Sequence, residues 1–267
     1  MNKLLIIAVL VINCSVLLHG QGELNEQQKI FFRNEKSFAL LLNSNGIGLS
    51  YRDAKRIDYL NKRFFEIEAG TLKHPKEYKI SNPYSQTGSY FFGKMHSTFY
   101  LRGGIGRQHE IYRKADLGGV AIRYFYSAGP ALAVYKPIYY RVLYLDPNNQ
   151  NEPIIREEKF ESSFSLPQDI YSKSSFFKGI KETKVLPGLF TKAGFNFEYS
   201  KEDKLIHAIE MGAQLNAFPK KIPIMAGSEN RAVFVSLFVS YRFGIVVDPL
   251  NPDSNRISNF MRRKKEQ

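Results

Sequence analysis

The sequence predicts an all-β protein: a closed, antiparallel, up-and-down transmembrane β-barrel of eight strands, with ten strands as the alternative. Long segments alternate apolar and polar residues with the two-residue period of a strand. Most of them reach the ~9–11 residues with which a tilted strand crosses a bilayer, whereas strands of soluble domains average about 5–6. Aromatic residues, 21 Phe and 16 Tyr among 267, gather at segment ends, as in the interfacial girdles of membrane barrels. The predicted girdle residues are Tyr100, Tyr124, Tyr126, Tyr199, Tyr241 and Phe243.

The composition excludes several other classes of protein. Beyond the N-terminal stretch, no segment stays apolar over the ~20 residues of a transmembrane helix, so a helical membrane protein is excluded. A barrel remains allowed at a mean hydropathy of −0.30, because only every second strand residue faces lipid. The formal net charge of +13 is spread along the chain rather than gathered in one motif, and export from the cytoplasm removes the opportunity to bind nucleic acid.

Residues 1–20 are predicted to be a secretory signal peptide. A short basic start precedes an apolar stretch at residues 4–18, and Gly20 is a small residue suited to the position before the cut. Cys14 leaves a lipoprotein open as the alternative, although its large preceding residue and the apolar residues after it disfavour lipid attachment. If Cys14 is removed with the signal, the mature chain has no thiol and no disulfide.

The rest of the chain is predicted to form a flexible lead (residues 21–35), the barrel (36–244) and a basic tail (245–267). The barrel region contains nine alternating segments, which lie at residues 37–43, 47–52, 65–70, 94–105, 119–127, 132–144, 189–199, 205–218 and 233–243. Three short turns are predicted between them, at residues 44–45, 128–130 and 200–203. Three long connections are predicted, at residues 74–92, 146–186 and 219–231.

The strand count follows from a parity rule, because bacterial single-chain barrels have an even number of strands. Omitting segment 37–43 gives the favoured count of eight. That choice places connection 74–92 on the periplasmic side, where it would be an unusually long turn. Ten strands result instead if one strand is hidden in connection 146–186, which is otherwise predicted to be a charged, mobile outer loop.

The last alternating segment, which closes with Tyr241-Arg242-Phe243-Gly244, resembles the final strand of small outer-membrane barrels. Many of those strands end in an aromatic residue that the barrel-assembly machinery recognises. Over residues 38–244 the chain is similar to the OmpA-like and PorT-like small barrels of Bacteroidota, which implies a place in the outer membrane of a Gram-negative bacterium. The chain departs from them by continuing to Gln267, a tail too short for a peptidoglycan-binding domain.

Charged residues on the polar faces are the main candidate site. The interior of an eight-stranded barrel is just wide enough for side chains, and buried ions must pair because an unpaired one is very costly. We therefore predict an ion-pair network that plugs the barrel, with a charged pore lining as the alternative. Its predicted members are Arg52, Glu66, Glu68, Arg102, Arg123, Lys192, Glu198, Glu210 and Arg242.

Signals for catalysis or cofactor binding are weak. His96 and Thr98 share a polar face and could form a base and nucleophile with Glu66 or Glu68, but His-x-Thr on a strand is more often a polar interior pair. The scattered histidines have no metal-ligand spacing, so no metal or cofactor is expected. The glycines of Gly103-Gly104-Ile105-Gly106 do not lead into a helix, which favours bend or bulge glycines over a phosphate loop.

These patterns predict a non-enzymatic barrel with a structural or accessory role in a cell-envelope complex. A small passive channel is the first alternative and a lipid-modifying barrel enzyme the second. A soluble periplasmic β-sandwich is disfavoured by the length of the strands. Outer-membrane lipid is the expected partner, other envelope proteins are further candidates, and nucleic acid is excluded.

Overall fold

The computed structural model describes residues 34–81, 89–116, 118–145, 153–160, 167–202, 204–227 and 230–247. The predicted signal peptide, all but the last residues of the lead and most of the basic tail lie outside them. None of the helices in these segments is both long and apolar enough to cross a membrane. The strands are β1 Asn34–Asn43, β2 Gly46–Arg56, β3 Asn61–Leu72, β4 Lys79–Ile80, β5 Tyr90–Phe91, β6 His96–Tyr112, β7 Ala121–Pro137, β8 Tyr139–Leu145, β9 Pro153–Lys159, β10 Ile170–Lys173, β11 Lys184–Glu198, β12 Leu205–Ala217 and β13 Val233–Val247.

Eight long strands close into one barrel in the order β1-β13-β12-β11-β7-β6-β3-β2. Every neighbouring pair is antiparallel, and β1 pairs with both β2 and β13, so the barrel has no open edge. The predicted closed, eight-stranded antiparallel barrel is confirmed. Closure matters physically because a sheet edge would leave a row of backbone N–H and C=O groups without partners.

Two details of the predicted strand count were wrong: one strand was omitted and another was divided in two. The two errors cancel in the total of eight. Segment 37–43, omitted from the favoured count, lies within β1. The predicted turn at residues 128–130 does not exist, because β7 runs without a break through Gly129 and Pro130. Gly129 packs directly against the backbone of Gly103 and Gly104 on β6, so the neighbouring strand holds this turn-prone pair extended.

The connections at the two ends of the barrel differ in length. The described chain enters at Asn34 and leaves at Val247, which are paired, and the short connections 57–60, 113–120 and 199–204 lie at this same inner end. The opposite, outer end carries the predicted two-residue turn between β1 and β2 and the three long connections, which join β3 to β6, β7 to β11 and β12 to β13. This is the pattern of short periplasmic turns and long outer loops. Including β1 thus removes the long inner turn that the omission of segment 37–43 required.

The long connections build a second folded layer, which we call the outer cap. Strands β8, β9 and β10 form a three-stranded sheet in the order β10-β8-β9, and β4 pairs with β5. The two strands within residues 146–186 therefore belong to the cap and not to the barrel, which rules out ten barrel strands. The apolar core of the cap consists of Tyr90, Ile138, Tyr140, Val142, Phe160 and Ile170.

Candidate functional site: the filled lumen and the outer cap

Strand alternation sends charged and small polar side chains into the lumen. On β2, for example, Ser50 and Arg52 point inward and are buried. Leu49, which directly precedes Ser50, points outward and is exposed. The structure places all nine predicted charged residues inside the barrel, with each side chain buried. They form two separate groups rather than one network.

The central group is a ring of four alternating charges. Arg52 Nη1 lies 2.7 Å from Glu210 Oε1, and Arg242 Nε lies 2.9 Å from the same oxygen. On the other side, Glu66 Oε1 lies 2.9 Å from Arg242 Nη2, and Glu66 Oε2 lies 3.2 Å from Arg52 Nη2. Each guanidinium therefore bridges both carboxylates, and the ring ties β2, β3, β12 and β13 together across the lumen.

The central group extends from this ring toward the outer end of the barrel through three further charged residues. Lys192 Nζ lies 3.5 Å from Glu66 Oε1 and 3.0 Å from Glu68 Oε2, which links the ring to Glu68. Arg102 is ion-paired with Glu68 and donates to Asn216 Oδ1 at 3.0 Å. Seven of the nine predicted residues thus form one continuous network.

The other two predicted residues, Arg123 and Glu198, pair with each other near the inner end. Arg123 Nε also lies 3.4 Å from Glu110 Oε2, and Lys114 Nζ lies 3.0 Å from Glu198 Oε1. The rings of Phe64 and Phe125 lie between this inner layer and the central ring, with the Arg52 guanidinium 4.2 Å and 4.8 Å from their centroids. Aromatic side chains therefore interrupt the charge network that sequence analysis treated as continuous.

Several charged residues of the inner layer fall outside the predicted alternating segments, and one aromatic residue was placed wrongly. The charged residues lie beyond the ends of those segments and include Glu35, Arg56, Lys62, Glu110 and Lys114. Tyr100 was assigned to an interfacial girdle, which was wrong. It faces the lumen, and its hydroxyl donates to Glu68 Oε1 at 2.8 Å.

The glycines of β6 make room for aromatic rings rather than a bulge. The β6–β7 register is unchanged from Leu101↔Leu132 to Ile105↔Ala128 and shifts only near Glu110. A Cβ at Gly104 would lie 2.6 Å from Phe190 Cζ, and one at Gly106 would overlap Phe64 Cζ. These glycines therefore let rings from neighbouring strands fill the lumen.

An apolar plug closes the outer mouth of the barrel. The connection between β12 and β13 folds inward, where Ile222 and Ile224 are fully buried. Its backbone is joined to the segment that leads into β6, since Met95 N donates to Ile224 O at 2.9 Å. A bond within the connection, from Ile224 N to Asn230 Oδ1 at 2.9 Å, holds its fold. We call this cluster the outer plug; its buried members include Leu72, Phe190, Phe218, Ile222, Ile224, Met225 and Phe234.

His96 and Thr98 both lie at the outer end of β6, but no hydrogen bond joins them. His96 Nδ1 lies 2.7 Å from Pro223 O, and the His96 ring packs edge-on against Tyr135. The Thr98 hydroxyl is buried and makes no hydrogen bond within the described chain. Glu66 and Glu68, the suggested orienting carboxylates, are engaged in the ion pairs described above.

The outer surface of the barrel is apolar and carries an aromatic ladder near its inner end. The rings of Phe38 and Tyr51 lie 5.1 Å apart, Phe38 and Phe243 6.1 Å, and His207 Nδ1 lies 2.7 Å from Tyr241 Oη. Above this ladder the exposed side chains are mainly aliphatic. They include Leu40, Leu42, Ile47, Leu49, Val235, Leu237 and Val239.

No protein-family model and no curated protein matches the sequence. Several solved structures align with this chain at low similarity. The attachment invasion locus protein Ail of Yersinia pestis aligns with a TM-score of 0.33 and 8% identity, covering 80% of this chain and 95% of that chain. Neisserial surface protein A gives 0.35 and 10% identity, covering 80% and 96%. The N-terminal β-barrel domain of Pseudomonas aeruginosa OprF gives 0.34 and 6%, covering 80% and 98%.

The distribution of side chains in this structure defines the class of protein. A closed barrel that buries its charges and exposes an apolar, aromatic-edged wall is inside out relative to a soluble barrel. Water would penalise that wall, whereas lipid requires it, and a closed barrel satisfies its backbone groups without solvent. The chain is therefore a transmembrane β-barrel of the outer-membrane type.

Proposed function

We propose that this protein is a non-conducting, non-catalytic anchor that holds the outer cap at the cell surface as a structural or accessory part of an envelope complex. The observation that carries the proposal is the combination of a filled lumen with a folded module above it. A barrel that neither conducts ions nor catalyses a reaction can still hold the outer cap, which its long outer connections form, at the membrane surface.

The filled lumen argues against the alternative of a passive channel. A channel would need a continuous water path past Arg123, Arg242 and Glu210. Instead, Arg242 and Glu210 are locked in the central ring, aromatic rings lie between that ring and Arg123, and the outer plug covers the mouth.

Conductance separates these two functions. The protein reconstituted in planar lipid bilayers is expected to give no stepwise current, because charged and aromatic side chains occupy the lumen. The measurement is single-channel recording, with a known porin as the positive control for insertion. Reproducible ohmic steps from this protein would reverse the assignment and make it a channel.

The geometry around His96 argues against a hydrolase. An activated nucleophile needs a base within hydrogen-bond reach and a third group that orients the base. The described partner of His96 Nδ1 is a backbone carbonyl, and Thr98 lies buried below it without a hydrogen bond in the described chain.

The cap sheet offers a surface for an envelope partner. In the described part of the chain, β9 pairs with β8 on one side and has no strand on the other. Ile155, near the middle of β9, is 48% exposed, and its neighbour Arg156 stacks near Tyr144. An unpaired strand edge can accept an extended segment of another protein through backbone hydrogen bonds.

Site-specific photo-crosslinking in intact cells tests the accessory role. A benzoylphenylalanine at Ile155 is expected to give one adduct of defined mass. Ile57, which is also exposed but lies in an inner turn, is the matched control and is expected to give a different adduct or none. The absence of any adduct at Ile155, or the same adducts at both positions, would refute partner binding through the cap.

A further inference from the structure

The two ends of the lipid-facing wall differ in aromatic content. Membrane barrels carry aromatic girdles at both interfaces. The inner end has one, built by the ladder of Phe38, Tyr51, Tyr241 and Phe243. At the outer ends of the eight described strands, the outward-facing residues are mostly aliphatic, and Phe99 is the one aromatic among them.

A turn from the cap lies against the wall where the second girdle is missing. Residues 176–181, which we call the anchor turn, follow β10. The Phe176 ring lies 6.4 Å from the Phe99 ring, and Lys136 Nζ lies 4.3 Å from the Phe176 centroid. Phe99 pairs in register with Val134 on β7, and both face outward, so the anchor turn covers the outside of the barrel rather than its mouth.

The free side of the anchor turn is strongly apolar. Phe177 is 74% exposed, more than any other large hydrophobic residue in the described chain, and Ile180 is 53% exposed. Val185 and Leu189, exposed on the adjoining wall of β11, continue this apolar surface toward the middle of the barrel. Lys181 follows Ile180 in the turn, as lysines that reach the headgroups flank the apolar side chains of interfacial segments.

The anchor turn contacts the cap through side chains and through its glycine. Lys178 is ion-paired with Glu157 on β9, and the hydrogen bonds from Lys178 and then Ser174 lower the pKa of Glu157 to about 2. Gly179 adopts a left-handed φ of 81°, and a Cβ there would lie 2.9 Å from Tyr139 Cε2. Lys136 Nζ also donates to Lys178 O at 3.1 Å, so the turn is joined to β7 as well as to the cap while Phe177 stays exposed.

We propose that the anchor turn is a lipid-binding site: Phe177 and Ile180 insert at the boundary between acyl chains and headgroups of the outer leaflet. Phe177, next to Phe176 and Phe99, adds aromatic side chains to an outer interface that the strands leave aliphatic. The insertion fixes the orientation of the cap against the membrane. The ligand class is a bilayer-forming amphiphile. The inference rests on the placement of the barrel in a membrane but is independent of any envelope partner.

The absence of tryptophan from the sequence makes this site directly measurable. Phe177→Trp introduces a single fluorescent reporter into the full-length protein, which is then reconstituted in phosphatidylcholine vesicles with bromine at shallow or deep acyl positions. Val239→Trp, on the exposed wall between Leu42 and Met211, is the control for deep lipid contact. Ile155→Trp, on the cap, is the control for water. Unheated gel mobility verifies that each variant is folded.

We expect shallow bromines to quench the fluorescence of the Phe177→Trp variant at least twofold more than that of the Ile155→Trp variant. In the Phe177→Trp variant, shallow bromines should also quench more than deep bromines do. Deep bromines should quench Trp at 239 most. If position 177 behaves like position 155 while position 239 is quenched, the anchor is overturned and the barrel placement stands. If position 239 is also unquenched, the membrane placement fails and the anchor with it. Ile180→Trp repeats the test one turn away.

Discussion

Replacing Glu210 by Gln is expected to lower the free energy of unfolding by about 3–5 kcal/mol, the range for removing one partner of a buried ion pair. Glu210 has 0% exposed surface and accepts bonds from Arg52 and Arg242, as well as from Asn196 Nδ2 at 3.0 Å. The amide keeps the volume but removes the charge, so two guanidinium groups are left to share Glu66. The measurement is urea unfolding of the vesicle-folded barrel, followed by tyrosine fluorescence.

A solvent-exposed ion pair supplies the control. Glu157→Gln breaks the contacts of Glu157 with Arg141 and Lys178 in the cap, where water screens both charges. Its expected effect is below about 1 kcal/mol. Adding Arg242→Gln to Glu210→Gln should recover part of the loss, because it removes the surplus positive charge. Equal losses from the exposed and buried variants would contradict a lumen sealed from solvent.

Replacing Val239 by Arg is expected to destabilise the folded barrel by about 2–4 kcal/mol, the cost of a cation on the lipid face near the bilayer midplane. Val239 is 50% exposed on β13, opposite Met211 on one side and Leu42 on the other. In water, an exposed valine tolerates arginine at little cost. The effect of the substitution therefore shows whether the outer wall of the barrel faces lipid or water, and it does not depend on packing inside the protein.

The assay is the folded fraction in lipid vesicles, measured by unheated gel mobility across a urea series. Val239→Leu keeps the site apolar and should remain within about 0.5 kcal/mol of the unmodified protein. Ile155→Arg makes the same kind of change on the cap and should be similarly mild. An effect at position 239 no larger than that at position 155 would mean that the wall faces water.

Much of the barrel could be predicted from the sequence because alternation is a local property. The inward direction of Arg52, Glu66 and Glu210 follows from their parity relative to apolar neighbours, whatever pairs with their strands. The requirement that buried charges be paired then predicts opposite partners nearby. The alternation gives no direction where apolar residues occupy both faces, as they do after residue 131. The turn-prone pair Gly129-Pro130 just before that stretch is why β7 was divided there.

The alternation of inward and outward residues also gives no information about how deep a residue lies along the barrel axis, or about contacts between segments distant in the chain. The sequence by itself determined an all-β, lipid-facing barrel with a charged interior, because a two-residue period and its apolar face are written in consecutive residues. Only the tertiary structure decided that Tyr100 points at Glu68, that Ile222 and Ile224 fold into the mouth, and that Phe176 meets Phe99 on the outer wall. Those contacts join residues far apart in the chain, and strand register, barrel closure and loop folding together set their positions.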